Sequence, residues 1–485
     1  MTATIAAISL GSVVVMSCLI VVFGAPARGK DSLSSASFLL PRGTLRSRYI
    51  VSLLLSSSFG VNALLYAAWL GYSVGIWGLV IQLAWAVSFL LLSPYSVKIR
   101  SRNSLHELLG IRFGRGTTVV ASICTLVGFI YLMGWEFAIG NSSTSSILTL
   151  AGGLGANGVQ QLTNLLMGAV VVGTLTYTLW GGMRGNAKVD QFLNLIKILA
   201  VLFITILLVG KLIYIEHHQL IAAIFPSFRT MQKNLGLFGL ATNIIFNLAW
   251  QFVDNSSWQS VIAGQDKSKV QSQENLRTSG FVIFLTIGLL GTFFGISLAS
   301  SPSITPDNIL TQTISLLPQH QATLIVLMVT LIGACMMSLF DVLFVSSTYT
   351  LTRDIVLVRS SRFGQGSGGS LAYVRVALLG IAVAATWGVK FVFHLTRMNL
   401  FDFVYIVIIT QLALFGPTIV ALATEREARF PMWLAIITGL LVGFGSAAIG
   451  TASGRTYFVD GAGMFALISS TGLAFLISRS KGRAS

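Results

Sequence analysis

The chain has 485 residues, of which 54% are hydrophobic and only 9% are charged. A soluble domain carries about a quarter charged residues, so this composition excludes an ordinary water-soluble protein and predicts one embedded in a lipid bilayer. The net charge of +16 does not indicate nucleic-acid binding, because the loop positions of Lys and Arg explain it better. The three cysteines lie in apolar segments and predict no disulfide framework.

Apolar runs of roughly 20 residues, long enough to span a bilayer, recur along the whole chain. We predict thirteen spans, at about 3–24, 46–73, 75–97, 117–145, 158–182, 187–214, 236–264, 280–302, 322–350, 371–391, 399–423, 430–452 and 459–478. The first run has no basic segment before it and is interpreted as a helix, not a signal peptide. A low-complexity stretch, GQGSGGS at 364–370, predicts a flexible loop. The expected fold class is an all-α membrane protein.

The distribution of Lys and Arg in the loops predicts the orientation of these spans. With the N-terminus outside, most basic residues fall in the inside loops, as in the segments 98–102 and 112–115. The opposite orientation would reverse this bias. We therefore expect a multi-pass protein, of the plasma (inner) membrane, with a cytoplasmic C-terminus.

Six ionisable side chains lie inside apolar spans, where each costs about 2.5–3.5 kcal/mol on insertion scales. They are Glu136, Asp190, Lys197, Asp254, Asp341 and Asp402. Asp190 and Lys197 are seven residues apart and share a helix face, but their rise of roughly 10 Å is too long for a direct pair. Asp190 has an alternative interpretation as a solvated carboxylate at a helix start.

Two spans are interrupted by polar runs, SSSFGVN at 56–62 and WQFVDNSSWQ at 250–259. Such runs are typical of helices that break around a binding site in a transporter. If the first span is peripheral, spans two to six and seven to eleven form two sets of five, and each set begins with an interrupted helix. The predicted solute-binding residues are Ser56, Ser57, Asn62, Trp250, Gln251, Asp254, Asn255, Trp258 and Gln259. For the two tryptophans, interfacial anchoring or packing is an equal alternative.

The ninth span carries a further polar face. Ser338 and Asp341 are three residues apart and lie on one side of a helix. Their oxygens suit a hard cation such as sodium. For Ser346, Ser347 and Thr348 the expected role is a hydrogen bond back to their own helix.

Four stretches together resemble the sodium/solute symporter family: YTLWGGMRGNAKVDQ at 177–191, SLHELLGIRFGR at 104–115, MSLFDVLFVSSTYTLTRDI at 337–355 and LFGP at 414–417. FVDNSSWQSVIAG at 252–264 resembles the branch that carries urea and small amides. The resemblance implies a LeuT-like fold with a 5+5 inverted repeat. It divides the chain into a peripheral segment 1–45, repeats 46–214 and 236–423, and a peripheral segment 430–485.

The resemblance also implies a cation site. Its ligands would be carbonyls around Leu55 and Ser58, the Cys335 carbonyl and the Ser338 hydroxyl, with the carboxylates of Asp190 and Asp341 nearby. Sodium is the candidate ion at Ser338 and Asp190, but Leu339 stands where the family usually has a second hydroxyl. In some carriers of this fold a basic side chain replaces sodium, and Lys197 lies on the corresponding helix. Protonation of Lys197 or a carboxylate could then couple transport to protons.

These inferences predict a secondary active importer of a small polar solute, coupled to Na+ or H+ and working by alternating access. Candidate solutes are urea, an amino acid such as proline, a small carboxylate, pantothenate or a sugar. No cofactor is expected, and the chain is expected to be a monomer or a loose oligomer. A membrane sensor of the same fold is the rival class, although the short tail after the last span offers no signalling domain. An enzyme is not expected, since no nucleophile with a nearby base and no metal-binding motif is found.

Overall fold

The computed structural model describes residues 1–24, 35–212, 221, 224–265, 268–298, 304–305, 308–356, 368–389, 391, 402–424 and 427–479. Residues 364–367 of the predicted loop and the beginning of the eleventh span, 399–401, lie outside these ranges. Residues 368–370, expected in the loop, begin a helix instead. The side chain of Asp402 is likewise outside the description.

The described residues form helices joined by short connections. They are α1 (Thr2–Gly24), α2 (Ser35–Leu39), α3 (Ser47–Ser58), α4 (Val61–Val74), α5 (Trp77–Leu92), α6 (Ser96–Arg100), α7 (Leu105–Phe113), α8 (Arg115–Leu150), α9 (Ala156–Leu212), α10 (Phe228–Asn234), α11 (Gly236–Val253), α12 (Asn255–Ala263), α13 (Lys269–Ile283), α14 (Thr292–Ile296), α15 (Ile309–Leu316), α16 (Gln321–Tyr349), α17 (Gly368–Val383), α18 (Asp402–Leu412), α19 (Phe415–Ala423), α20 (Trp433–Ser453), α21 (Thr456–Asp460) and α22 (Ala462–Ile477). Three π-helical segments, Phe284–Gly291, Thr350–Val356 and Ala384–Gly388, continue α13, α16 and α17. Two short strands, β1 (Glu427–Ala428) and β2 (Ser478–Arg479), pair antiparallel.

Each of the thirteen predicted spans has a counterpart in this arrangement. Ten helical segments among the described residues are long and apolar enough to cross a membrane, or eleven when α3 and α4 are taken as one bent span. The longest segment, α9, contains two predicted spans, and α22 is a shorter apolar helix. The largest difference between a predicted and an observed boundary is at the eighth span, which was predicted to begin near residue 280 but begins at Lys269.

A sharp turn at Gly182 divides α9 into the fifth and sixth spans. The backbone of Gly182 has φ 56° and ψ −155°, a conformation that only glycine adopts easily. A Cβ atom there would also collide with the carbonyl oxygen and ring of Phe38. The Gly181-Gly182 pair therefore reverses the chain just before Asp190 and Lys197.

The centre of the bundle is α16. Every residue from Met328 to Tyr349 is buried, which is typical of a helix surrounded by others on all sides. It packs against α9, α1, α8 and α3. Polar side chains of α16 therefore face protein groups and not lipid.

The two interrupted spans are joined at one end. The backbone N–H of Leu45, just before α3, donates to Ala263 O at the end of α12, at 2.9 Å. The N–H of Gln265 donates back to Leu45 O at 2.7 Å. These bonds hold the first residue of α3, Ser47, close to the last residue of α12, Ala263.

Helices α4 and α14 pack closely because Gly295, at their contact, has no side chain. A Cβ atom on Gly295 would overlap the carbonyl oxygen of Ala68, a backbone atom that cannot turn away. We expect Gly295→Ala to lower the free energy of unfolding by about 1–3 kcal/mol or more, as overpacking does in other cores. Gly472→Ala is the control, because a Cβ on Gly472 meets nothing within 4 Å. Thermal unfolding in detergent measures both, and equal melting temperatures would contradict the close contact.

Candidate functional site

The first broken helix consists of α3 and α4, which meet at a bend of 67°. The break falls at Phe59 and Gly60, inside the polar run predicted to interrupt the second span. Phe59 closes the last turn of α3 by donating its N–H to Leu55 O at 2.8 Å. Because the helix stops there, the carbonyl of Phe59 is not needed for a helical hydrogen bond.

Lys197 fills the space beside this break. Its ammonium group donates to Phe59 O at 3.2 Å and to Ser338 Oγ at 2.7 Å, and it lies 4.9 Å from the centre of the Phe59 ring. Ser338 in turn donates to Cys335 O at 3.1 Å. Lys197 is fully buried. The amino group of Lys197 therefore lies between the broken helix and α16.

The predicted cation ligands lie around this amino group. Ser338 contacts it directly and also donates to the Cys335 carbonyl. Of the predicted backbone ligands, Leu55 O accepts the N–H of Phe59, and Ser58 is the last residue of α3. Phe59 O, which was not among them, binds Lys197. That these groups bind a cation stays a prediction.

Asp190 lies on the same helix as Lys197 and is fully buried. The alternative interpretation of a solvated carboxylate at a helix start is therefore wrong. Neither of its carboxylate oxygens has a hydrogen-bond partner within the part of the chain that the structure describes. The Ser56 hydroxyl lies close to the carboxylate but donates to Asn194 Oδ1 at 3.2 Å, and Lys197 interacts with Asp190 only electrostatically. Asp190 is thus a buried acid without a direct partner.

Asp341 joins α16 to the two halves of α9. Its Oδ2 accepts a hydrogen bond from the Tyr177 hydroxyl at 2.9 Å, and its backbone carbonyl accepts one from Asn186 Nδ2 at 2.9 Å. Its Oδ1 has no partner among the described residues. Tyr177 precedes the Gly182 turn and Asn186 follows it, so Asp341 connects both sides of that turn.

Of the four ionisable side chains buried around the first break, one is basic and three are acidic. Lys197 interacts electrostatically with Asp190, Asp341 and Glu136, and all four side chains are fully buried. No direct ion pair between Lys197 and a carboxylate is found among the described residues. Buried carboxylates that lack a partner are costly. A bound cation or proton would lower that cost.

Glu136 has a structural role that the sequence did not reveal. Its Oε1 accepts from the N–H of Val61 at 2.5 Å, and its Oε2 accepts from the N–H of Asn62 at 3.1 Å. The carboxylate thus caps α4, where the helix dipole favours negative charge. The signal in the sequence was one acid in the middle of a long apolar span.

The second broken helix consists of α11 and α12, which are separated at Asp254. The backbone there is extended, with φ −76° and ψ 97°. Asp254 Oδ1 accepts from Ser256 N at 3.0 Å and from Ser256 Oγ at 2.7 Å, and Oδ2 accepts from Ser257 Oγ at 2.6 Å. This carboxylate caps α12, and its predicted contact with the solute stays a prediction.

The remaining predicted solute residues fall into two groups. Ser57, Asn62 and Trp250 are half-buried beside the two breaks. Trp250 packs against Phe246, with ring centres 5.2 Å apart. Gln251, Trp258 and Gln259 are buried, and the side-chain N–H groups of all three lack an acceptor among the described residues. Both groups lie in the helices that form the two breaks, and their role in binding a solute stays a prediction.

The hydroxyls of Ser346, Ser347 and Thr348 depart from expectation. They were predicted to bond back to their own helix, yet no partner is found for them among the described residues, although all three are buried. Thr348 lies seven residues after Asp341, on the same face of α16. The polar face of this helix therefore extends beyond Ser338 and Asp341.

Asn255 lies apart from the other predicted solute residues. Its Oδ1 accepts from the N–H of Leu105 at 3.1 Å, and its Nδ2 donates to Thr350 Oγ1 at 3.2 Å. Both oxygen and nitrogen of the amide are therefore occupied by the protein. The side chain thus ties α12 to α7 and α16, and solute binding by Asn255 stays a prediction.

Asn255 adjoins a buried polar cluster at the start of α7, which we call the His106 network. His106 Nδ1 lies 2.7 Å from Asp354 Oδ2, and its Nε2 lies 2.9 Å from Thr125 Oγ1. Ser104 Oγ donates to Asp354 Oδ1 at 3.1 Å. The network holds α7, α8 and the π-helical end of α16 together. The sequence showed these residues only as loop and helix-end motifs.

We expect His106→Leu to loosen this end of the bundle. Removing one partner of a buried polar pair costs about 3–5 kcal/mol, since the remaining carboxylate of Asp354 stays buried. Hydrogen exchange of the α7 backbone amides should become much faster. His320→Leu is the control, because His320 is partly exposed and its replacement should leave exchange in α7 unchanged. Unchanged protection of α7 would show that the network does not hold it.

The fold matches those of known transporters. A Na+-coupled sialic acid symporter, solved in a substrate-bound outward-open state, is 15% identical; the match covers 98% of this chain and 99% of that chain, with a TM-score of 0.69. Mhp1, a nucleobase-cation-symport-1 family transporter in a closed conformation with bromovinylhydantoin bound, is 14% identical over 90% and 92%, with a TM-score of 0.55. MhsT in complex with L-phenylalanine is 13% identical over 90% and 99%, with a TM-score of 0.52.

No protein-family model and no curated protein sequence matches the chain. At these low identities the structural matches establish the fold alone. That fold is the LeuT fold, so the predicted fold class is confirmed. The matched structures are transporters and not enzymes, and they give no support to the urea and small-amide branch suggested by residues 252–264.

Proposed function

We propose that this chain is a secondary active transporter that imports a small polar solute by cation-coupled alternating access. The observation that carries the proposal is the pair of broken helices, with a buried ammonium group bonded to the carbonyl freed at the first break. Broken helices, buried charges and unpaired polar groups near the middle of spans are what a solute and its coupling ion need.

Sodium is the first candidate for the coupling ion. The chain shares its fold with a Na+-coupled symporter, and Ser338 and Asp190 offer oxygen ligands. The unpaired oxygens of Asp190 and Asp341 support a cation in this region. Ser338 is less available than Asp190 as an ion ligand, because its hydroxyl already accepts a hydrogen bond from Lys197.

A specific observation favours a second candidate, in which Lys197 stands in for sodium. Its ammonium group is bonded to the Ser338 hydroxyl, which the family resemblance assigns to the ion, and to the carbonyl of Phe59, the residue after Ser58. Leu339 adds no oxygen there. Coupling would then use a proton exchanged by Lys197, Asp190 or Asp341, or transport would be independent of sodium.

The proposed solute is small, polar and bound between the two breaks. The half-buried hydroxyl of Ser57, the amide of Asn62 and the ring of Trp250 are suited to hydrogen bonding and stacking. The similar structures hold or carry sialic acid, L-phenylalanine and a hydantoin, which shows that the fold accommodates varied solutes.

The proposed orientation places the N-terminus outside and the His106 network at the cytoplasmic side. Basic side chains close to that network support it. Arg100 donates to Gly264 O at 3.1 Å and Arg112 donates to Thr424 O at 3.0 Å. The N-terminal ends of α3 and α7 would therefore face the cytoplasm, as the positive-inside rule requires.

Uptake into proteoliposomes tests the proposal. The purified chain is reconstituted and offered labelled amides, amino acids, sugars and carboxylates under an imposed sodium gradient, and then under a proton gradient. We expect at least one solute to accumulate above its equilibrium level with one of the gradients. Binding of a solute without accumulation under either gradient would favour the sensor class and contradict the proposal.

A further inference from the structure

The first turn of α4 has no free backbone donor for a ligand. The N–H groups of Val61 and Asn62 are bonded to the two oxygens of Glu136. Ala63 N–H donates to the side-chain oxygen of Asn62 at 2.6 Å, and Leu64 N–H donates to Gly60 O at 3.2 Å. A helix that begins inside a membrane protein would otherwise leave such groups open.

Open helix N-termini of this kind are the usual partner of an anionic group on a transported solute. Here a carboxylate of the protein itself occupies that position. Glycine at position 60 makes this possible, because a Cβ there would lie 2.9 Å from Glu136 Oε1 and 2.7 Å from Asn62 Oδ1. Glu136 can therefore reach the break only because residue 60 is glycine and has no Cβ atom.

The second break is closed in the same manner. Asp254 binds the N–H and hydroxyl of Ser256 and the hydroxyl of Ser257, so the N-terminus of α12 also has a carboxylate of its own. Each break therefore has a buried acid of its own. A solute carboxylate placed at either helix start would find its backbone N–H groups already bonded to a protein carboxylate.

The unpaired groups beside the second break are neutral donors. Gln251, Trp258 and Gln259 are at least nine-tenths buried, and their side-chain N–H groups have no acceptor among the described residues. A carbonyl or hydroxyl oxygen of an uncharged solute would satisfy them. These donors are the independent sign that the region is built for a ligand.

We propose that Glu136 determines the charge selectivity of the carrier. It occupies the place that a solute's carboxylate would take, so the site accepts neutral or cationic solutes and rejects carboxylates. This inference rests on the transport function proposed above, and it removes amino acids, small carboxylates and pantothenate from the solutes considered from the sequence.

Matched pairs of compounds test it. Reconstituted wild-type protein is offered lactamide and lactate, nicotinamide and nicotinate, and choline and betaine, each pair having nearly the same skeleton. We expect the member without a carboxylate to enter at least about tenfold faster, the scale of one hydrogen bond to a charged group. Faster uptake of the carboxylate member would overturn the inference while leaving the transport function standing.

Uptake of none of these compounds, nor of any solute in the wider panel, would instead overturn the transport function and the inference with it. The wild-type comparison needs no variant, so it does not depend on the folding of a mutant.

A variant then assigns the selectivity to Glu136. E136Q keeps one acceptor oxygen but cannot accept from both N–H groups, so one backbone donor of α4 becomes free. We expect the preference over the carboxylate to shrink about tenfold. Glu107→Gln is the matched control, because Glu107 caps α7 by accepting from Asn103 N at 2.7 Å, away from the breaks. An unchanged ratio in E136Q, or an equal change in the control, would overturn the assignment.

Discussion

Replacing Lys197 with Met is expected to lower the initial rate of uptake by about 100-fold or more. The substitution leaves Asp190, Asp341 and Glu136 buried without the ammonium group that interacts with all three. It also leaves Phe59 O and Ser338 Oγ without their donor. Removing one partner of a buried charge pair costs about 3–5 kcal/mol. Where that cost falls on the conformation that transports, its population drops by a factor of hundreds to thousands. The measurement is uptake per reconstituted protein.

Lys188→Met is the matched control, because Lys188 lies on the same helix and its ammonium group donates to Gly24 O. We expect this variant to transport nearly as well as the wild type.

The ion dependence of uptake provides a second measurement on Lys197. If Lys197 stands in for sodium, wild-type uptake persists when choline replaces sodium, whereas residual uptake by Lys197→Met depends on sodium at the vacated oxygens. Full activity of Lys197→Met would contradict the role given to Lys197.

Asp190→Asn is expected to reduce uptake by about 30-fold or more without lowering the stability of the protein. Its carboxylate is fully buried and has no hydrogen-bond partner among the described residues. A neutral amide of the same shape avoids the cost of a buried unpaired charge, so the free energy of unfolding should stay equal or rise by about 1–2 kcal/mol. Loss of transport with retained stability is typical of a residue kept for function.

Asp341→Asn provides the comparison, since Asp341 Oδ2 accepts a hydrogen bond from Tyr177. Weakening that bond should lower the free energy of unfolding by about 1–3 kcal/mol. Thermal unfolding in detergent and uptake in liposomes are measured for both variants. An Asp190→Asn protein that is as unstable as Asp341→Asn would show that Asp190 is a structural residue.

The sequence predicted those features that depend on one helix at a time. Polar runs at 56–62 and 250–259 indicated both breaks, because such groups are costly in a continuous helix facing lipid. The seven-residue spacing placed Asp190 and Lys197 on one helix face, and the distance along the helix argued against a direct pair. The same reasoning gave the thirteen spans and the fold class that the structural matches confirm.

Features that depend on packing between distant segments could not be predicted. The bond from Glu136 to Val61 joins residues 75 positions apart, and no local pattern marks that partner. Asn255 looked like a solute ligand because it adjoins the second break, but its side chain points to α7, which the sequence had left as a loop motif. The carbonyl that binds Lys197 belongs to Phe59 and not to a polar residue, so side-chain chemistry gave no sign of it.

Counterflow tests the central claim most directly, which is that a solute pauses between the two broken helices and is passed from one side to the other. Proteoliposomes are loaded with the unlabelled solute that gave the fastest uptake and are diluted into a trace of labelled solute, with no ion gradient. A carrier exchanges one for the other, so we predict that internal label rises transiently above its equilibrium level. A steady approach to equilibrium without an overshoot, in protein that retains its fold, would contradict the account.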